Sequence, residues 1–350
     1  MLAADTKPVP EKAPWSSAPA PHGTMWAEIS EPVAPFLADV RAFLDAQVAT
    51  FEEEVTESAR YALSASGKQL RPVLVALGAQ CVGELHSNHV TGAAIVELVH
   101  LATLVHDDVL DAAGVRRRQP TVAARFGSQT AVLLGDCLFA HSLKLASGFP
   151  TPEVCRVVSA ATKAVCSGEI LQTLRQGRLD QPVERYFRVI QLKTAELFAA
   201  SCELGGLLAS APPSRRTALR RFGLAFGTAY QVFDDCLDVF GNEASAGKTL
   251  GTDMATGKVT LPLLLAYQLA QAADRATLTR LFDRHVTGQA AGLRALLARY
   301  EIGARCREVM EAQLVQARDS LESMAGSPGA AALLSITRYL GQQVARLETT

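Results

Sequence analysis

Two copies of an acidic signature constrain the fold of this chain more than any other feature. The segments 107–111 and 234–238 both follow the pattern Asp-Asp-x-x-Asp, 127 residues apart, and each lies in an otherwise apolar stretch. On an α-helix, positions i and i+4 share a face, so each copy presents two carboxylates side by side. Like charges repel at this spacing, and burying them without a counter-charge is costly. The sequence therefore predicts two helices whose acidic faces bind a cation.

The type of cation follows from the ligand atoms. A single copy of the pattern is more often a solvated helix end than a metal site, but two copies with the same spacing and similar flanks favour metal. Carboxylate oxygens suit Mg²⁺, which commonly bridges a few carboxylates to substrate phosphates and retains water. We therefore predict a diphosphate clamped between the two helices.

Composition excludes several other classes of protein. Hydrophobic residues make up 49% of the 350 residues, so the chain has enough apolar side chains for a large core. The net charge is −1, which gives no global field for nucleic acid or an anionic membrane. Seven scattered cysteines without a CxxC pair predict reduced thiols in a cytoplasmic protein. Neither a membrane-spanning stretch nor a secretory signal is evident.

Hydrophobic periodicity predicts an all-α fold. Residues 1–24 are rich in Pro and Ala and are expected to form a flexible tail, followed by one domain over 25–350. Alternating β patterns are absent. As helices, the segments 93–111 and 224–240 would be apolar on nearly all faces, which predicts that they lie in the centre of the bundle. Beyond a first helix from Ser30, helices are expected at 51–64, 69–83, 89–112, 129–147, 152–176, 183–209, 214–241, 257–272, 275–286, 301–325 and 328–346.

Basic residues follow the acidic motifs. Arg116 and Arg117 come shortly after the first motif, and the planar guanidinium donates paired hydrogen bonds to phosphate. Lys68 and Arg71 are spaced i, i+3 near a predicted helix start, where anions are favoured. For the arginines alone, a solvated basic turn is the competing interpretation, and Lys68 with Arg71 alone is a weak signal.

Further polar residues extend the predicted site. His100 lies two turns before Asp107 on the same helical face, although a histidine in an apolar helix is often a core residue. Lys193 and Thr194 lie in the middle of a predicted helix. Lys248 and Lys258 bracket a Gly-rich segment after the second motif, which is expected to fold over a phosphate–Mg²⁺ group as a lid or, alternatively, to be an ordinary loop.

In combination, these motifs resemble the trans-isoprenyl diphosphate synthases, the polyprenyl synthase family, of medium- or long-chain type. The features that carry the resemblance are Gly67-Lys68-x-x-Arg71-Pro72, His100, Asp107–Asp111 with Arg116-Arg117, Gly168-Glu169-Ile170-Leu171-Gln172, Lys193-Thr194, Gln231, Asp234–Asp238 and Gly257-Lys258-x-Thr260-Leu261-Pro262. The resemblance implies a helical bundle around a deep central cavity, and a homodimer.

The resemblance also implies the reaction and the role of each residue. Isopentenyl diphosphate is added head-to-tail to an allylic diphosphate by ionisation, condensation and elimination. About three Mg²⁺ ions are expected per site. The implied metal ligands are Asp107, Asp111, Asp234 and Asp238, with Asp108 and Asp235 assisting. The implied allylic diphosphate ligands are Arg116, Lys193 and Lys258, and those of isopentenyl diphosphate are Lys68, Arg71, His100 and Arg117. Thr194, Gln231 and Lys248 complete the substrate-binding set.

Small residues before the first motif indicate a long product. Short-chain members of the family often place an aromatic side chain one turn before the first aspartate, where this chain has the small residues Ala102 and Thr103. The segment 93–111 would span about 28 Å as a helix, which favours a product of roughly C30 to C50. Such a product is apolar enough for transient membrane contact.

Three alternatives remain open at this stage. A plug from a facing helix, such as Phe139, would give a farnesyl or geranylgeranyl diphosphate synthase. A terpene cyclase normally keeps only one such acidic motif. A non-catalytic subunit of a heteromeric synthase usually loses aspartates from one motif.

Overall fold

The computed structural model describes residues 23–64, 67–117, 119–241, 250–283 and 290–347. The described part is almost wholly helical, which confirms the predicted all-α class. Its helices are α1 Gly23–Ser30, α2 Ala34–Val48, α3 Glu53–Ser64, α4 Leu70–Gln80, α5 Ser87–Leu110, α6 Val122–Phe126, α7 Ser128–Ser147, α8 Glu153–Thr173, α9 Val183–Ile190, α10 Glu196–Leu208, α11 Pro213–Phe240, α12 Thr252–Ala255, α13 Leu261–Leu269, α14 Ala272–Asp283, α15 Ala290–Arg299, α16 Ile302–Asp319 and α17 Pro328–Arg346.

Shorter elements complete the described chain. Two-residue strands, β1 Val115–Arg116 and β2 Gln119–Pro120, pair antiparallel just after the first acidic motif. Turns of 3₁₀-helix cover Glu31–Val33 and Glu322–Met324, and a π-helical turn, Gln191–Ala195, separates α9 from α10.

Central helices are those with apolar residues on all sides. α5 packs against α2, α4, α7 and α10, and α10 also packs against α11. Ile95 and Leu98 of α5 have no exposed surface, and Phe222 and Phe226 of α11 are stacked and buried in the same interior. The two helices that carry the acidic motifs thus run through the middle of the bundle. No helix of the described residues is long and apolar enough to cross a membrane.

Most predicted helices are present, and the differences have local causes. The predicted helix at 257–272 begins only at Leu261, because Gly257 has a φ of 72° and Pro262 suits the first turn. The predicted helix at 183–209 is interrupted by the π-helical turn. Sequence patterns missed α1, α6, α12, α15 and the hairpin. The predicted tail lies outside the described residues, except that α1 already includes residues 23 and 24.

A buried histidine at the start of α5 makes stability depend on pH. The backbone N–H of His86 donates to His89 Nδ1 at 3.1 Å, so Nε2 carries the proton and donates to the Gly205 carbonyl at 3.2 Å. Burial, with His86 nearby, lowers the pKa of His89 to about 4. A protonated ring cannot accept the His86 N–H. Folding therefore favours the neutral ring.

The lowered pKa of His89 determines how the unfolding free energy changes with pH. The stabilisation is complete above the unfolded pKa of about 6.5 and is lost as pH falls towards 4. We expect the wild-type chain to lose up to about 3 kcal/mol more unfolding free energy between pH 7 and pH 4 than His89→Gln. Urea denaturation of both proteins at the two pH values measures this difference. Equal losses in the two proteins would contradict the prediction.

Candidate active site

The first acidic motif lies at the C-terminal end of α5. Asp107 and Asp108 are in its last turn, and Asp111 is the residue that caps it. The helix dipole disfavours negative charge at this end. The pKa of Asp107 is raised to about 6: burial is the main cause, Glu169 and Asp111 act in the same direction, and Lys193 and Lys258 oppose them. These carboxylates therefore need cations beside them.

Two lysines supply positive charge to this motif. Lys258 Nζ lies 2.7 Å from Asp111 Oδ2, and Lys193 Nζ lies 3.5 Å from Asp107 Oδ2 and also contacts Glu169. Burial alone would lower the pKa of Lys193, but Asp107 and Glu169 raise it above its ordinary value. Lys193 is therefore charged. The structure brings together the predicted residues Asp107, Asp111, Lys193 and Lys258.

A π-helical turn positions Lys193 and Thr194. It faces α8 at Gly168, where a Cβ atom would lie 2.5 Å from the Lys193 backbone nitrogen. Any side chain at this position would push the turn away from α8. Short π-helical turns within α-helices occur frequently at functional sites. The helix predicted at 183–209 is therefore present at that position, but it is not a continuous α-helix, because the π-helical turn interrupts it.

The second acidic motif lies in the last two turns of α11. Asp235 is buried, and its two oxygens accept hydrogen bonds from Tyr186 at 2.6 Å and from Gln231 at 2.7 Å. Burial raises the pKa of Asp235 well above its ordinary value, with Asp253 acting in the same direction. Thr194 donates to Gln231 at 2.8 Å. Asp235 therefore joins three elements, whereas Asp234 is only partly buried.

Asp238 holds the segment that precedes Lys258. Its Oδ1 accepts from the backbone N–H and the hydroxyl of Thr252 at 3.2 and 3.1 Å, and its Oδ2 accepts from the Asp253 N–H at 3.1 Å. From the other side, the Gly177 N–H donates to the Gly257 carbonyl at 2.9 Å. The predicted metal ligand Asp238 thus has the N-terminus of α12 as its partner. The predicted lid residue Lys248 lies outside the described residues.

A basic pocket lies beside the first motif, between α3, α5 and the hairpin. His100, Arg116, Arg117 and Glu97 are among its lining residues. Burial lowers the pKa of His100 well below its ordinary value, and nearby arginines add to this effect. Arg116 Nε donates to Asp108 Oδ1 at 2.7 Å. The pocket therefore offers fixed positive charges and a neutral imidazole to an anion.

Two other predicted anion ligands lie at the start of α4. The Arg71 guanidinium stacks 4.7 Å from the centre of the Phe198 ring, and its buried Nε has no hydrogen-bond partner among the described residues. Lys68 Nζ lies 5.9 Å from the centre of the Tyr339 ring of α17. A Cβ atom at Gly67 would come within 2.4 Å of the Arg117 guanidinium. An orphaned N–H at Arg71 suits an anionic ligand.

The chain-length residues differ in exposure. Ala102 has no exposed surface and belongs to the packed core with Leu98 and Val105. Thr103 is half-buried and precedes Asp107 by one turn on the same face. Phe139 of α7 packs against two groups of buried apolar residues, one that contains Leu98 of α5 and one that contains Ile95 of α5.

Sequence patterns missed several residues of the site. Glu97 is buried three residues before His100; burial raises its pKa, and Arg71, Arg117 and Arg41 lower it. An acid inside an apolar helix was an available signal for Glu97. Tyr186 and Gly177 carried no such signal, because their partners are distant in sequence.

The ligand atoms fit Mg²⁺. Within the described ranges, no three acidic, histidine or cysteine side chains converge closely enough to form a metal cage. Mg²⁺ rarely uses such a cage; it binds one or two carboxylates, water and substrate phosphates. Partly buried carboxylates at two helix ends, beside a pocket for anions, match that requirement.

Comparison with known proteins decides the family. The family model described as polyprenyl synthetase matches residues 52–298. The chain belongs to the polyprenyl synthetase family. It is 37% identical over 239 residues to the octaprenyl diphosphate synthase of Escherichia coli, covering 68% of this chain and 74% of that protein. It is 34% identical to the all-trans-nonaprenyl-diphosphate synthase (geranyl-diphosphate specific) of Rhodobacter capsulatus, and the alignment covers 89% of this chain and 96% of that protein.

Solved structures of the family share the fold. A decaprenyl diphosphate synthase from Rhodobacter capsulatus aligns with a TM-score of 0.86 at 32% identity, covering 91% of this chain and 99% of that one. A polyprenyl synthase from Caulobacter crescentus, complexed with calcium and isoprenyl diphosphate, aligns with a TM-score of 0.85 at 29% identity. This alignment covers 92% of this chain and 99% of that one. The predicted family, the isoprenoid synthase fold and prenyltransferase activity are thus confirmed.

Proposed function

We propose that this chain is a Mg²⁺-dependent trans-polyprenyl diphosphate synthase that elongates an allylic diphosphate with isopentenyl diphosphate to products of C30–C50. The observation that carries the proposal is the pairing of Lys193 and Lys258 with the first aspartate motif, beside a separate basic pocket. Two anion-binding regions are what a two-diphosphate reaction requires. The medium- and long-chain relatives support the product class.

The allylic diphosphate is assigned to the region between the two motifs. Asp107, Asp111 and Asp234 would hold about three Mg²⁺ ions, which neutralise the diphosphate as its C–O bond breaks. Lys193 and Lys258 are placed to donate to the same diphosphate once the metal ions have replaced them on the carboxylates. Asp238 would act through the lid, because its oxygens already bind α12.

Isopentenyl diphosphate is assigned to the basic pocket. Arg71 and Arg117 would bind its diphosphate, the neutral His100 would donate one N–H, and Lys68 would close the edge of the site. The double bond of isopentenyl diphosphate attacks the allylic carbon, a C–C bond forms, and a proton leaves to an oxygen of the departed diphosphate. The apolar core around α5 and α11 keeps water from the allylic cation.

Assembly and location complete the proposal. α7 and α8 are neighbours, and Leu133 of α7, Ile170 of α8 and Leu174, which follows α8 directly, are exposed at 60%, 59% and 70%. Exposed apolar side chains on adjacent helices mark an interface, so we propose a homodimer through these helices. All seven cysteines are free, which suits the reducing cytoplasm. The apolar product would leave through transient contact with a membrane.

A specific observation favours a second candidate. One relative, 34% identical and covering 86% of this chain, is named heptaprenyl diphosphate synthase component 2, from Geobacillus stearothermophilus. That name denotes one part of a larger enzyme. This chain would then be the catalytic subunit of a heteromeric synthase, since both of its aspartate motifs are complete.

One assay tests both candidates. The purified chain is incubated with Mg²⁺, farnesyl diphosphate and radiolabelled isopentenyl diphosphate, and the dephosphorylated products are sized by chromatography. We expect labelled products of C30–C50 from the chain alone. Turnover only after addition of a second protein would support the heteromeric candidate. Cyclic hydrocarbons without label would refute both.

A further inference from the structure

A chain of hydrogen bonds links Tyr186 to the predicted substrate side chains. The Tyr186 hydroxyl donates to Asp235 Oδ2 at 2.6 Å, and Gln231 Nε2 donates to Asp235 Oδ1 at 2.7 Å. Thr194 Oγ1 donates to Gln231 Oε1 at 2.8 Å. Tyr186 is 5% exposed and lies on α9, one element before the π-helical turn. This series of hydrogen bonds therefore starts in the core at Tyr186 and ends at Thr194, next to Lys193.

The direction of each bond fixes the next group. Both oxygens of Asp235 accept hydrogen bonds in this network, so Oδ1 faces the NH₂ side of the Gln231 amide. The amide oxygen of Gln231 is thereby directed at Thr194, whose hydroxyl proton is used for this bond. The remaining lone pairs of Thr194 then have a defined direction. Without the Tyr186 proton, Asp235 loses one of its two side-chain donors and the orientation of the amide is no longer fixed.

We propose that Tyr186 is a positioning residue for the prenyl-transfer step: its hydroxyl orients Gln231 and Thr194 through Asp235. This inference rests on the function proposed above. Tyr186 is not one of the proposed substrate ligands; it acts through the three side chains that follow it. Small errors in the placement of reacting groups reduce turnover strongly, so the loss of this one hydroxyl is expected to be visible in kcat.

The chain offers a matched control for this bond. Tyr300 Oη donates to Asp274 Oδ2 at 2.8 Å in the peripheral region of α14 and the α15–α16 connection. This pair is also a tyrosine hydroxyl that donates to a carboxylate, and it belongs to neither acidic motif. Tyr300 Oη also accepts from the Gln271 N–H at 3.0 Å, and Asp274 is also bound by Arg299. Tyr300→Phe thus removes the same O–H to carboxylate bond as Tyr186→Phe without affecting the site.

The experiment compares Tyr186→Phe, Tyr300→Phe and the wild-type enzyme by steady-state kinetics, well below the melting temperature. We expect Tyr186→Phe to lower kcat by about ten- to a hundredfold, with the KM for isopentenyl diphosphate within about twofold of wild type. That KM should not change, because the basic pocket does not include Tyr186. Tyr300→Phe should retain wild-type kcat.

A double-mutant cycle tests the proposed route. If Tyr186 acts through Thr194, then Tyr186→Phe adds little to the loss caused by Thr194→Val. Full multiplication of the two losses, or a Tyr186→Phe enzyme with wild-type kcat, would overturn the proposal.

A second variant covers the case in which Tyr186→Phe does not fold. Asp235→Asn interrupts the same route, since its single amide oxygen accepts from Tyr186 or Gln231 but not from both. A folded Asp235→Asn enzyme with wild-type kcat would overturn the proposal equally. Absence of turnover in the wild-type protein would instead contradict the proposed function itself.

Discussion

Asp107→Asn is expected to reduce turnover by about a hundredfold to a thousandfold, the scale seen when one group that stabilises transition-state charge is removed. Asparagine keeps the size of the side chain and removes its charge. Lys193 would lose one of its two carboxylate partners, and the first motif would lose one of its proposed metal ligands. We therefore also expect half-maximal activity to require more Mg²⁺. Initial rates over a Mg²⁺ titration measure both effects.

Asp180→Asn is the control for this substitution. Asp180 is exposed, pairs with Arg178 at 3.0 Å and belongs to neither motif. An exposed pair of this kind contributes little to stability, so this variant should retain wild-type kcat and Mg²⁺ dependence. If the kcat of Asp107→Asn stayed within about threefold of the wild-type value, the first motif would not take part in the catalytic step.

Local periodicity was sufficient to predict the faces of the two motifs. Asp107 and Asp111 share one side of α5, as the i, i+4 spacing requires, and apolar residues on all sides placed α5 and α11 centrally. Such features depend on residues within a few turns of one another. A sequence contains them directly.

Contacts between distant segments were not predictable in the same way. Lys258 meets Asp111 across 147 residues, and Tyr186 meets Asp235 across 49. The capping of α12 by Asp238 also depends on a turn at Gly251, whose φ is 75°. Periodicity predicts which face a carboxylate lies on but not which backbone segment approaches it. For that reason Asp238 was predicted as a metal ligand, although the structure gives it a partner on the lid.

Thr103→Phe is expected to shorten the product by several isoprene units. Thr103 lies one turn before Asp107 and two turns before Asp111, so a large ring there would stand directly below the bound diphosphate, in the path of the growing chain. Thr103 is half-buried, so packing does not enclose a larger side chain on every side. Sizing the dephosphorylated products by reverse-phase chromatography measures the change.

Thr103→Val separates size from hydrogen bonding, because valine has nearly the volume of threonine but cannot donate to the His100 carbonyl, which Thr103 contacts at 2.6 Å. We expect this variant to keep the wild-type product length. Ala102→Phe, the other substitution that the sequence suggests, inserts a ring where Ala102 has no exposed surface, about 100° around the helix from Thr103. Overpacking there is expected to lower the unfolding free energy by about 1–3 kcal/mol in addition to any shortening. Wild-type products from Thr103→Phe would mean that the prenyl chain does not pass this face of α5.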